Sequence, residues 1–168
     1  NKYFKPKFFN SIAVRGTINK KHLENINYNN ISLFLGSNLH QVIYPVDQTH
    51  EFNFVGILRK RLTYDELNNY SFFNNHNFVE SILKKFSEQI PSKVLKNIKN
   101  IKCFPVFISD KIHCEKYKNT FLIGDAYFTF PPSFAQGGSH SIETAYELFK
   151  FLDKDNIDFK KKRIQRIK

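Results

Sequence analysis

Between Phe121 and Leu148 the chain reads FLIGDAYFTFPPSFAQGGSHSIETAYEL, an order of residues that admits few folds. Phe121, Leu122 and Ile123 form a continuous apolar run suited to a strand covered on both faces. Gly124-Asp125 ends that run and delivers one carboxylate at the strand's C-terminal end. A proline turn at Pro131-Pro132 follows, then Gln136-Gly137-Gly138. The two glycines remove side chains where backbone must approach a ligand, and Ser139 or Ser141 is expected to cap the next helix. Ile142, Ala145, Tyr146, Phe149 and Leu152 recur at helical spacing, so that face is expected to pack. The helix start offers unpaired N–H groups and a positive dipole end. Singly, a Gly-Asp after a strand is a turn and a diglycine a flexible link. In register, strand, acid, prolines, diglycine and helix build a nucleotide-cofactor site.

This stretch resembles the second FAD-binding motif of the class A flavoprotein monooxygenases, the aromatic-ring hydroxylases that include para-hydroxybenzoate, salicylate and ubiquinone-pathway hydroxylases. The family pattern is roughly Gly-Asp-Ala-Ala-His, a hydrophobic link, Pro, a Gly/Gln-Gly turn and a helix containing Ile-Glu-Asp-Ala. Here it stands as Gly124-Asp125-Ala126-Tyr127-Phe128, Pro131-Pro132, Gln136-Gly137-Gly138 and Ile142-Glu143-Thr144-Ala145. The resemblance implies that Asp125 binds the ribityl chain of FAD and that Pro131 and Pro132 lie beside the isoalloxazine. It also implies that amides near Gly138 and Ser139 face the pyrimidine carbonyl. Phe128 replaces a frequent His, Phe134 a small residue and Thr144 an acid; these departures bear on substrate class more than on flavin.

The first third carries a second resemblance, to the substrate-domain sheet of the salicylate-hydroxylase-like branch. Its elements are Ala13-Val14-Arg15-Gly16-Thr17, Leu33-Phe34-Leu35-Gly36, the run from His40 to Val46, and Asn53-Phe54-Val55-Gly56-Ile57. Without the family, Ile31–Leu35, Leu39–Val46 and Phe52–Leu58 are β-branched and aromatic runs that predict an antiparallel meander. Gly36-Ser37-Asn38 reads as a hairpin loop, and Pro45 belongs near a strand end or edge. Arg15 is a candidate for a substrate carboxylate, and His40 or Tyr44 for a polar contact to a phenol. Structural roles, an ion pair for the Arg and a core hydrogen bond for the other two, are the commoner fate of such residues. No general base or metal ligand set is identifiable.

Farther on, Asn77 as cap and Glu80 at the third helical position open a helix whose apolar stripe is Phe78, Val79, Ile82, Leu83, Phe86 and Ile90. A further helical turn after Pro91 continues the stripe through Val94, Leu95, Ile98 and Ile101, and Cys103–Ile108 alternates as a short strand. The fold class is α+β with α/β character: an antiparallel substrate-domain sheet with helices, plus the C-terminal strand-turn-helix of an FAD-binding domain. The expected division is residues 1–112 for the sheet and its helices and 113–168 for the FAD part, joined through the polar segment 109–119.

The sequence carries a net charge of +11. Because Lys, Asn, Ile and Phe are all abundant while Trp and Met are absent, that charge is partly a matter of AT-biased coding. The one dense basic run is Lys160-Lys161-Lys162-Arg163, with Arg166 and Lys168 behind it, and it reads as a solvated or frayed tail. Contact with an anionic membrane surface or an acidic partner stays open. No aromatic residues interleave there, so nucleic-acid binding is not expected. Cys103 and Cys114 read as reduced thiols and, with no signal peptide or spanning run, point to a cytoplasmic location.

No Gly-x-Gly-x-x-Gly follows a strand, so the expectation is a C-terminal piece whose pyrophosphate-cradling motif lies upstream, inactive by itself. The resemblance implies that the complete enzyme takes FAD as cofactor and NADH or NADPH as co-substrate. It would use O2 to hydroxylate a small aromatic, phenolic substrate through a flavin C4a-hydroperoxide. Another flavin oxidoreductase on the same scaffold, such as a reductase or halogenase, a truncated or partner-dependent chain, and a basic binding module remain as alternatives.

Overall fold

The computed structural model describes residues 6–23, 30–46, 50–87, 89–112, 120–153 and 158–167. His113, Cys114 and most of the expected connection lie outside them. The chain divides into two compact units: residues 10–106, and the residues from Phe107 onward with the start of the first strand up to Phe9.

The larger unit is built on a five-stranded sheet in the order β2-β3-β4-β1-β5. Its strands are β1 (Lys7–Asn19), β2 (Ser32–Leu35), β3 (Leu39–Pro45), β4 (Glu51–Arg59) and β5 (Lys99–Ile108). The meander is present as expected, with β2 antiparallel to β3 and β3 to β4. The fourth strand then returns to lie antiparallel to β1, Val14 opposite Gly56 and Thr17 opposite Asn53. The hairpin loop closes with Gly36 N–H donating to the Leu39 carbonyl at 2.8 Å, and Pro45 is the last residue of its strand. The fifth strand begins at Lys99, four residues earlier than its alternation suggests. Ile101 therefore belongs to the sheet and not to the helical stripe before it.

One face of this sheet carries the core. Ile12, Val14 and Ile18 of β1, Ile43 of β3 and Phe52 and Phe54 of β4 are buried with Phe78, Ile82 and Phe86 of helix α2 (His76–Phe86), which follows the short helix α1 (Tyr64–Asn68). Glycine at 56 is what lets that helix approach: a Cβ there would stand 2.6 Å from the Phe86 ring. The ring instead meets Phe54 edge to face, centroids 5.7 Å apart at 87°. The cap of α2 is Asn75 and not Asn77; its side chain accepts from Phe78 N–H at 3.2 Å. Both asparagines precede the apolar stripe, but Asn75 has the extended backbone a cap needs. The turn after Pro91 is helix α3 (Ser92–Leu95), with Val94 and Leu95 buried.

In the smaller unit, helix α4 (Gly137–Leu152) and helix α5 (Phe159–Ile167) follow two short 3-10 turns, Gly124–Ala126 and Pro132–Phe134. The expected strand Phe121–Ile123 is extended at Ile123 (φ −132°, ψ 161°) but pairs with none of the described strands, and Ile123 is 38% exposed. Extended dihedrals make a strand only where a neighbour completes the ladder. The basic run is solvated at Lys160, Lys161 and Lys162 but is not frayed: it is helical, Arg163 is buried within α5 and ion-paired to α4, and Phe159 is buried among Phe121, Tyr127 and Phe151. No described helix is long and apolar enough to cross a membrane.

Candidate functional site

The Gly124-Asp125 turn is held by helix α4. Gly124 adopts φ +56°, the left-handed region that only glycine enters freely, and a Cβ there would stand 2.5 Å from Ser141 Oγ. Its N–H donates to Thr144 Oγ1 at 3.0 Å, and the Thr144 hydroxyl, fully buried, lies 2.7 Å from the His140 carbonyl to which it donates. Thr144 thus joins the turn to the helix across twenty residues, a role that a long-range contact creates and local sequence does not announce. The Asp125 side chain is exposed, and its backbone carbonyl accepts from Thr129 Oγ1 at 2.9 Å.

Pro131 leads into the Pro132–Phe134 turn, which ends at Ala135 with φ +51°. Gln136 is the N-cap of α4 and makes no side-chain cap. The expected serine caps are not formed. Both serines lie within the helix and donate backwards, Ser139 Oγ to the Gln136 carbonyl at 3.1 Å and Ser141 Oγ to the Gly137 carbonyl at 2.9 Å. The helix starts three residues earlier than capping by Ser139 would place it, which puts Gly137 and Gly138 in its first turn. Neither glycine has an atom within 4 Å of where a Cβ would stand, and Gly137, Gly138 and Ser139 are exposed. First-turn amides with no side chain over them, beside an exposed carboxylate on a glycine turn, fit a ligand with an electron-rich rim and hydroxyl groups. The motif residues Gly124, Asp125, Pro131, Pro132, Gln136, Gly137, Gly138 and Ser139 all fall within this unit.

The apolar face of α4 differs from expectation. Ile142 is 74%, Tyr146 61%, Phe149 59% and Leu152 62% exposed, whereas the buried residues of the helix are His140 and Thr144. His140 packs edge to face on Phe130, centroids 5.1 Å apart, and neither ring nitrogen has a hydrogen-bond partner. Burial lowers its pKa, Arg163 adds to this, and Glu143, the Gly124 carbonyl and Asp125 act in the opposite sense without reversing it. Arg163 contacts Glu147 at 2.5 Å and Glu143 at 3.4 Å. Burial pushes the Glu143 carboxyl up, but Arg163 and Arg166 outweigh it and hold the group below its ordinary range.

The substrate candidates stand on the sheet of the larger unit. Strand alternation puts Arg15, His40 and Tyr44 on one face, opposite the helix-covered core, and the register carries Thr17, Asn53 and Ile57 with them. Tyr44 OH accepts from Asn53 Nδ2 at 2.9 Å, and burial lowers the pKa of His40. Arg15 is exposed. Thr17, opposite Asn53, has a buried hydroxyl without a partner, a polar group that sequence reading passed over because Thr in a strand is unremarkable. Cys103 is buried, its thiol pushed up to about 11 by burial, which makes it a poor nucleophile. No group of metal-ligating side chains occurs among the described residues.

No protein-family model matches the sequence, and neither does any curated protein. Solved structures do match. The substrate complex of a salicylate hydroxylase aligns over 95% of this chain and 42% of its own at a TM-score of 0.67 and 17% identity. HpxO of Klebsiella pneumoniae, complexed with FAD and uric acid, aligns over 86% and 36% at 0.64 and 15%. PqsL of Pseudomonas aeruginosa, a probable FAD-dependent monooxygenase, aligns over 94% and 43% at 0.58 and 16%. The chain spans well under half the length of each. The five-stranded antiparallel sheet with its helices matches the partial fold of the FAD-dependent hydroxylases.

Proposed function

We propose that this chain is part of an FAD-dependent monooxygenase that hydroxylates a small aromatic substrate, with NADH or NADPH as reductant and O2 as oxidant. The observation that carries the reading is the glycine turn at Gly124-Asp125, latched by Thr144 to a helix start left clear by Gly137 and Gly138. The structural neighbours crystallised with FAD support it. Residues 1–112 supply the substrate sheet and 113–168 the closing part of the FAD-binding domain.

Bound FAD would supply the redox chemistry. Asp125 accepts hydrogen bonds from ribityl hydroxyls, while Gly124 keeps the turn tight enough to present that carboxylate. Pro131 and Pro132 give a rigid apolar edge beside the ring. With Gln136 completing the turn, the amides of Gly137, Gly138 and Ser139, at the positive end of a 16-residue helix, stabilise negative charge on a pyrimidine oxygen. On the sheet, Arg15 orients a substrate carboxylate and His40, Tyr44 and Thr17 offer polar contacts to a phenol.

The test is to express the longest continuous reading frame containing this chain and record the flavin absorbance of the purified protein. Bound flavin that Asp125→Ala weakens by about one to two orders of magnitude, as loss of a hydrogen-bonded charge would, supports the reading. Phenol-dependent hydroxylation with NAD(P)H consumption completes it. A folded product without flavin would overturn it.

A further inference from the structure

Away from the flavin motif, the larger unit has a cleft of about 500 Å³ where the β2–β3 hairpin loop and the end of β4 meet helix α2. That volume is in the range of small-molecule sites. Its charged lining is of one sign: Arg59, Lys60 and Lys85, with no carboxylate among the lining residues. None of the three cations forms an ion pair with the described residues. Since basic side chains near carboxylates ordinarily pair, three unpaired cations around one concavity form a focused positive field.

The backbone under these groups is held. Arg59 N–H donates to the Asn38 carbonyl at 2.7 Å, and Lys60 N–H to the Asn10 carbonyl at 2.9 Å. Lys85 comes from the last turn of α2, on the same face as buried Ile82. Leu39, Leu58 and Ile82 line the cleft as well, so cations and hydrocarbon border the same space. Asn38 and Ser81 add uncharged polar groups to the lining.

We infer that this cleft is a binding site for a small organic phosphate, an oxyanion held by Arg59, Lys60 and Lys85 with an apolar body on Leu58 and Ile82. Arg59 supplies a planar fork that matches a phosphate's oxygens, and the two lysines add point charges. The site is independent of the flavin reading, because none of its residues belongs to the motif around Gly124.

The experiment titrates the 168-residue chain with p-nitrophenyl phosphate, inorganic phosphate and p-nitrophenol, following backbone amide NMR shifts. The expected result is saturable shifts confined to Asn38, Arg59, Lys60 and Lys85 and their neighbours, tightest for p-nitrophenyl phosphate. The triple variant Arg59→Gln, Lys60→Gln, Lys85→Gln should weaken this about tenfold or more, as loss of charge-assisted bonds implies. The charge-matched variant Lys102→Gln, Lys161→Gln, Lys162→Gln should leave it unchanged. Equal weakening in both variants, or shifts scattered over the basic surface, would show a net-charge effect and overturn the site. Each single variant is measured too, so that misfolding of the triple leaves the comparison intact.

Discussion

Thr144 stands where the resembling pattern has an acid, and the hydroxyl explains what the departure achieves. A fully buried carboxylate could accept the Gly124 N–H but could donate nothing to the His140 carbonyl, and its charge would be costly to bury. The hydroxyl does both as a neutral group. One turn earlier, His140 is buried with two unpartnered nitrogens, so its neutral form is favoured and its pKa lies below the ordinary 6.5. The unfolded chain therefore binds a proton near 6.5 that the folded chain declines, and stability falls as pH drops through that value. Glu143 acts in the same direction lower down: its pKa lies below the ordinary 4.5, so the stability it contributes is present above that range and is lost in more acid solution. We expect the melting temperature to decline from pH 7.5 to pH 5.5 and His140→Leu to flatten that decline. A slope unchanged in the variant would place the proton uptake elsewhere.

Helix α5 hangs on α4 by two attachments, the Phe159 ring among Phe121, Tyr127 and Phe151, and the Arg163 guanidinium on Glu147 and Glu143. Arg163 is buried, so removing it takes from Glu147 and Glu143 the guanidinium they share; because those carboxylates stay 15% and 38% exposed, the cost falls below the roughly 3–5 kcal/mol of a fully buried pair. Arg163→Ala should therefore release α5, seen as lost helicity by circular dichroism and fast amide exchange over 159–167. Exposed Lys161→Ala should leave both unchanged. None of this was legible locally, because Lys160-Lys161-Lys162-Arg163 looks uniformly basic and the carboxylates that single out Arg163 lie sixteen and twenty residues upstream. By contrast the strands β2 to β4 were legible to within a residue or two, because alternating side chains with one buried face are a local property. The cap of α2 was misread for a different reason: Asn75 and Asn77 are both suitable, and the choice rests on backbone dihedrals. Within the flavin motif, residue types and order were readable, but not the serines' backward hydrogen bonds or the latch at Thr144, which need a formed helix.

At the scale of the whole molecule, two groups of exposed apolar side chains among the described residues each share one element, and they differ in origin. On the edge strand β2, Leu33 is 55% and Leu35 72% exposed. On α4, Ile142, Tyr146, Phe149 and Leu152 form a stripe at helical spacing with each residue more than half exposed. Edge strands commonly carry charge to discourage pairing, and the net charge of +11 opposes association of the chain with itself at either place. A contiguous helical stripe of four residues with two aromatic rings offers more apolar area than Leu33 and Leu35 with the neighbouring Ile31, which is 70% exposed. A dye that fluoresces on apolar surfaces should therefore bind mainly to α4. We expect Ile142→Glu with Phe149→Glu to abolish most of the signal, while Leu33→Glu with Leu35→Glu removes little of it. Neither pair is buried, so far-ultraviolet circular dichroism should match the parent chain in both. The reverse pattern, with the strand pair silencing the dye, would make β2 the exposed apolar surface that matters and leave the stripe on α4 without consequence in solution.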